Sequence, residues 1–273
     1  MAFPKRTWRT LLWSAPFWQP MTDNWAKATN WPVVGKYIGW IVGEKHYDVT
    51  FIPINQELEQ EGSTVIPRQV VSEMIKRSCH RVILPMCLCR MGCGCQDFPM
   101  EIGCIFMGEG AKQIDPSIGK PATVEEALAH MDRAIEAGLI PQIGRVDPDP
   151  FMLGVRMKDW DRFLTLCWCC TCCCIAMRNI HSWDPDVRDR MHKLEGLSIE
   201  ITDDCDGCGK CAKECFADAI VIEDKQARIT DACKGCGLCI ETCPKDAIKI
   251  SVTDGDRMLE EAFQRIKSYA DVT

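Results

Sequence analysis

The chain has 273 residues, enough for two ordinary domains that each bury a core. An apolar share of 47% fits a globular protein, and a formal charge of −7 argues against nucleic-acid binding, which needs a clustered basic surface. Twenty cysteines would suggest a disulfide scaffold in a short secreted chain. Here their spacings are those of metal sites, no signal-peptide cleavage motif is evident, and no uncharged apolar run reaches the ~18 residues of a spanning helix. A reducing, cytoplasmic compartment is expected.

Residues 1–45 hold six of the nine tryptophans: Trp8, Trp13, Trp18, Trp25, Trp31 and Trp40. Prolines at 4, 16, 20 and 32 are expected to break any long helix there. Three uses compete for this segment. It can pack on its own domain, or lie on a membrane surface with Lys5, Arg6 and Arg9 toward anionic lipid. The favoured use is docking to a partner protein through tryptophan anchors.

DVTFIPI (48–54) is rich in β-branched residues and reads as a strand. Pro67 opens a helix to about Ser78 with Val70, Val71, Met74 and Ile75 on one face, and RVILP (81–85) reads as a second strand. This is a βαβ pattern. Thr123 and Glu126 form a capping box for a helix buried through Val124, Ala127, Leu128, Met131 and Ile135, ended by Gly138. IPQIGRVDPDP then reads as a loop, and residues 159–166 as a short helix leading into CWCCTCCC (167–174). Asp184 and Pro185 start another helix, and a last one spans about 256–269 with Met258, Leu259, Ala262, Phe263 and Ile266 on one face.

Residues 205–222, CDGCGKCAKECFADAIVI, repeat as 233–250, CKGCGLCIETCPKDAIKI. Each copy contains C-x2-C-x2-C-x3-C. Three cysteines at two-residue gaps on a tight loop can reach three corners of a cube, and Gly207, Gly209, Gly235 and Gly237 let the backbone bend around them. Paired zinc sites are the competing reading. The double run resembles bacterial two-cluster ferredoxins. That resemblance implies crossed ligation, with Cys205, Cys208, Cys211 and Cys243 on one 4Fe–4S cluster and Cys233, Cys236, Cys239 and Cys215 on the second. The family pattern places proline after each fourth cysteine. Pro244 fits it and Phe216 departs, which touches a turn and not a ligand.

Twelve more cysteines lie upstream. Cys87-Leu-Cys89-Arg90, Cys95 with Pro99, Glu101 and Cys104, and then Cys167 through Cys174 resemble an iron–sulfur protein family of anaerobic bacteria and archaea. Its pattern runs C-x-C-R, C…P-x-E-x-C and C-x-C-C-x-C-C-C, and a two-cluster ferredoxin module follows. The resemblance covers roughly residues 48–250 and implies electron transfer and cofactors more than a reaction. The candidate ligands are Cys87, Cys89, Cys95, Cys104, Cys167, Cys169, Cys170, Cys172, Cys173 and Cys174, with Cys93 less secure. Neighbouring thiols such as Cys172, Cys173 and Cys174 diverge, so they suit separate clusters. Two 4Fe–4S clusters are expected here, with a third or a non-standard one as the alternative. Cys79 is expected to be an ordinary buried cysteine. Arg90 is either a solvated arginine or a counter-charge to a thiolate-bound cluster. His80 and His181 flank cysteine segments and are expected to be hydrogen-bonded, structural histidines rather than ligands.

The expected fold is α/β (α+β), a small cysteine-rich α/β domain joined to a ferredoxin-like two-cluster domain. Four parts are expected: a Trp-rich docking segment at 1–45, the cysteine-rich iron–sulfur domain at 46–195, the two-cluster domain at 196–252, and a C-terminal helix within 253–273. There is no G-x-G-x-x-G after a strand, no P-loop and no G-x-S-x-G. The favoured function is an electron-transfer protein or subunit of an oxidoreductase complex. It would relay single electrons between a low-potential donor and a partner redox enzyme in anaerobic metabolism. A reductase acting at an unusual N-terminal cluster on a disulfide or small substrate is the first alternative, and a cluster scaffold the second. The expected partners are redox enzyme subunits and a soluble donor, with peripheral membrane contact as a further option.

Overall fold

The computed structural model describes residues 7–41, 46–53, 58–60, 63–65, 67–252 and 254–273. Pro4, Lys5, Arg6 and Ile54, which figure in the expectations above, lie outside these residues, as does the side chain of Trp40. In chain order the elements are α1 (Trp8–Ala28), α2 (Val34–Ile41), β1 (Tyr47–Phe51), β2 (Leu58–Gln60), β3 (Ser63–Val65), α3 (Pro67–Arg77), β4 (Arg81–Ile83), α4 (Leu88–Cys93), β5 (Ile105–Met107), β6 (Lys120–Pro121), α5 (Val124–Glu136), β7 (Ile140–Val146), α6 (Pro148–Met152) and β8 (Leu164–Cys169). There follow α7 (Ile175–Arg178), α8 (Pro185–Arg188), β9 (Met191–Lys193), β10 (Leu197–Ile201), α9 (Lys210–Glu214), β11 (Ile220–Glu223), β12 (Gln226–Ile229), α10 (Leu238–Thr242), β13 (Ile248–Val252) and α11 (Gly255–Tyr269).

A seven-stranded sheet in the order β6-β4-β5-β8-β7-β1-β9 organises the larger part of the chain. Neighbouring strands are antiparallel except β1 and β9. The strands predicted around α3 both exist, but β5, β8 and β7 lie between β1 and β4, so they are not a paired βαβ unit. Pleat sends alternate side chains to opposite faces. Leu164, Leu166 and Trp168 of β8 join the core built with α3, α5 and α11, through Val71, Met74, Ala127, Met131, Met258 and Ile266. Cys167 and Cys169 point the other way, toward Phe51, Ile140, Met177 and Trp183.

Two sequence readings are corrected here. The stretch read as a loop is the interior strand β7 followed by the start of α6. Pro141 and Gly144 disguise the strand, because both usually mark breaks. Gly144 is there because a Cβ would stand 2.1 Å from the Asp48 carbonyl oxygen of β1. The helix expected at 159–166 is a 3-10 turn over Met157–Arg162 followed by β8, so a strand delivers the cysteine segment. The capping box forms as read, with the Thr123 N–H donating to Glu126 at 2.8 Å and the Glu126 N–H to Thr123 Oγ1 at 3.2 Å.

Pro16 and Pro20 do not break the N-terminal segment, since α1 runs through both for 21 residues, whereas Pro32 lies in the break between α1 and α2. A helical proline costs about 3 kcal/mol, and the tertiary contacts of α1 offset it. Leu11 is buried with Trp8 and Trp18 against Leu84, Leu88 and Met91. Gln19 Nε2 donates to the Cys89 carbonyl at 3.0 Å, and Asp23 accepts from Asn179 at 2.9 Å and from Arg178. Pro20 itself is exposed. No helix among the described residues is long and apolar enough to cross a membrane.

Each copy of the sequence repeat ends in one strand of a small two-stranded sheet, the first in β11, paired with β12, and the second in β13, paired with β10. They meet the large sheet through Phe216, whose ring centroid is 5.4 Å from that of Phe51. His181 Nε2 lies 3.1 Å from the Phe216 carbonyl and 3.2 Å from Asp218, which makes it a bonded residue of this junction.

Candidate metal centres

The eight cysteines of the repeat line two cavities. One is walled by Cys205, Cys208, Cys211 and Cys243. The other is walled by Cys215, Cys233, Cys236 and Cys239. Each combines three thiols of one run with the fourth of the other. The loops curl because Gly207, Gly209, Gly235 and Gly237 all have positive φ. At Gly207 (φ +70) no side chain fits, since a Cβ would lie 2.5 Å from the Lys225 backbone. Backbone N–H groups aim at the sulfurs: Ala227 at Cys205 (3.4 Å), Ala219 at Cys215 (3.3 Å), Gly235 at Cys233 (3.4 Å) and Ala247 at Cys243 (3.3 Å). Such donors stabilise negative charge on sulfur. Burial pushes the Cys236 and Cys239 thiols up to about 12. A buried group of thiols this costly to ionise is satisfied by a soft metal centre, which binds thiolates and supplies the missing positive charge.

The upstream cysteines divide into two sets on opposite faces of the large sheet. Cys87, Cys89, Cys104, Cys167, Cys169 and Cys174 form the first. The Cys104 and Cys167 sulfurs are 3.2 Å apart, as are those of Cys169 and Cys174. The Cys167 and Cys169 thiols act on each other's ionisation, as do those of Cys87 and Cys89. The Cys89 thiol, aided by the Arg90 charge and opposed by burial, lowers Cys87 to about 6. Cys89 is raised well above the ordinary thiol value by Cys87 in turn and by burial. Gln142 Oε1 accepts from Cys169 at 3.2 Å.

The second set is Cys95, Cys170, Cys172 and Cys173, whose sulfurs all lie within 4.8 Å of one another. Cys95 follows α4, turned inward by Gly94 at φ +64. Burial pushes its thiol up, but N–H groups of Phe98 and Asp97 and bonds from Cys173 and Cys172 outweigh this and lower it. Cys93 stands beside the set, exposed, with Arg178 Nη1 donating to its sulfur at 3.0 Å.

Arg90 lies between the sets and is 0% exposed, which removes the solvated-arginine reading. Nη1 donates to the Trp168 carbonyl at 2.8 Å and Nη2 to that of Ile102. Burial opposes its charge, yet Cys87, Cys170 and Cys104 hold its pKa above the ordinary value. Cys79 is exposed, not buried as expected, because the chain leaves α3 there at the surface. Sequence reasoning missed Gln142 and Arg178. Gln142 lay in a stretch read as a loop, and Arg178 carries no motif.

Residues 198–252 match the family model of the 4Fe-4S dicluster domain. No curated protein matches the chain. The C-terminal part is therefore a ferredoxin-type dicluster domain, and the protein is an iron–sulfur protein.

Proposed function

We propose that this protein transfers electrons, as a free carrier or as a subunit that relays single electrons from a low-potential donor to a partner redox enzyme in anaerobic, cytoplasmic metabolism. Cys205, Cys208, Cys211 and Cys243 would hold one 4Fe–4S cluster, and Cys215, Cys233, Cys236 and Cys239 the other. A bound cluster supplies one-electron redox chemistry, at potentials from about −700 to +450 mV. The N–H groups of Ala219, Ala227, Gly235 and Ala247 stabilise negative charge on the ligand sulfurs and so tune those potentials.

The observation that carries the reading is the packing order. Cys236, Leu238 and Phe216 at the second cavity pack on the same apolar core as Cys169 and Cys174. The six-thiol set would thus extend the path from the dicluster domain into the large sheet. Gln142 and Arg90 orient and charge-balance its thiols. The partner surface we assign to the N-terminal helices. Trp13 is 78% exposed, Phe17 65% and Tyr37 74%, whereas Leu11 and Gln19 on the opposite side hold α1 to the chain. Large exposed apolar groups of this kind are common interface anchors.

The test is anaerobic reductive titration of the full chain, followed by visible absorption and electron paramagnetic resonance. Reversible uptake of about one electron per cluster is expected. Clusters that a strong reductant leaves untouched would end this reading.

A further inference from the structure

We infer that Cys95, Cys170, Cys172 and Cys173 bind one tetrahedrally coordinated metal ion, a thiophilic divalent cation such as zinc or iron, and not a four-iron cluster. Four sulfurs at about 2.3 Å from one tetrahedral ion stand about 3.8 Å from each other. The Cys95 and Cys172 sulfurs are 3.8 Å apart, and those of Cys172 and Cys173 are 3.5 Å apart. In a four-iron cluster each cysteine sulfur sits outside a different iron, so the sulfurs are separated by the width of the iron tetrahedron as well. Among the described residues only the Cys95 set has all its ligand atoms within 4.8 Å.

The local chain explains this closeness. Beyond β8, the Cys174 N–H donates to the Cys170 carbonyl at 3.2 Å and closes a turn. The turn brings Cys170, Cys172 and Cys173 around one point, and Cys174 leaves it to begin α7 on the other face. Cys95 completes the group from the loop after α4, its N–H held by the Arg90 carbonyl at 3.0 Å. Four thiolates around a divalent ion leave net negative charge. The Arg90 charge acting on Cys170 and the N–H groups of Phe98 and Asp97 at Cys95 offset it. Soft thiolates in a tetrahedron select zinc or iron over hard cations.

This inference is independent of the electron-transfer reading, whose own signals come from reduction of the clusters. Its test is zinc, iron and acid-labile sulfide analysis of the anaerobically purified full chain and of Cys172→Ser. The variant should lose about one metal equivalent per chain and no sulfide. Loss of about four irons together with sulfide, or loss of no metal, would overturn the inference. Anomalous diffraction from the unaltered protein above and below the zinc and iron edges gives a second readout that no folding defect can obscure. One isolated metal peak among these four sulfurs is expected; a compact group of irons there, or no peak, would refute it.

Discussion

Cys243 belongs to the second cysteine run, yet it faces Cys205 across a cavity walled by the first. Cys243→Ser should therefore damage the cluster held by Cys205, Cys208 and Cys211, and Cys215→Ser the other. Electron paramagnetic resonance of the reduced variants, with iron analysis, separates the two. Selective loss of the second cluster in Cys243→Ser would contradict the arrangement.

Gly207 has φ +70 and no room for a Cβ beside the Lys225 backbone. Gly207→Ala should strain the first loop by about 1–3 kcal/mol. The expected result is reduced cluster occupancy in the first cavity with the second retained, read by iron content and spectral intensity.

Arg90 is buried and donates to the carbonyls of Trp168 and Ile102. Arg90→Leu leaves both acceptors unpaired and removes the positive charge between the two thiol sets. A loss of about 3–5 kcal/mol is expected, as for breaking a buried charge pair, measured by anaerobic denaturant unfolding.

Asp48 ties α11 to β1 through Arg265 at 2.8 Å and has His192 at 3.4 Å. Burial pushes its carboxyl up, but His192 and Arg265 outweigh burial and hold it below the ordinary value. Because the folded pKa is depressed, the stabilisation is present above the unfolded-state value and is lost as pH falls through the folded one. Asp48→Asn should cost about 1–3 kcal/mol at neutral pH. Its deficit relative to the parent should shrink on acidification below about pH 4. Unfolding curves across that range check both.

Trp13 and Phe17 stand on the exposed side of α1 with ring centroids 6.2 Å apart. The double substitution Trp13→Ser/Phe17→Ser should leave clusters and melting temperature unchanged while lowering recovery of a co-purifying redox partner. Deleting residues 1–28 should instead destabilise the fold, since Leu11, Gln19 and Asp23 anchor α1 to the cysteine-bearing loops. Melting curves and quantitative pull-down distinguish the outcomes.

The dicluster domain was readable because its information is local: cysteine gaps and glycines set the loops, and an internal repeat shows them twice. The capping box at Thr123 and the apolar faces of α3, α5 and α11 were legible for the same reason, since neighbours in sequence are neighbours on a helix. Pro16 and Pro20 misled because local propensity yields to tertiary contact. Pro141 and Gly144 hid an interior strand whose small residue is demanded by the approach of Asp48, far away in sequence. The division of the upstream thiols belongs wholly to the tertiary structure. Cys167 and Cys169 share a face only because the segment is a strand. Cys170, Cys172 and Cys173 reach Cys95 only because a turn follows that strand, at the end of β8 where a loop from beyond α4 arrives.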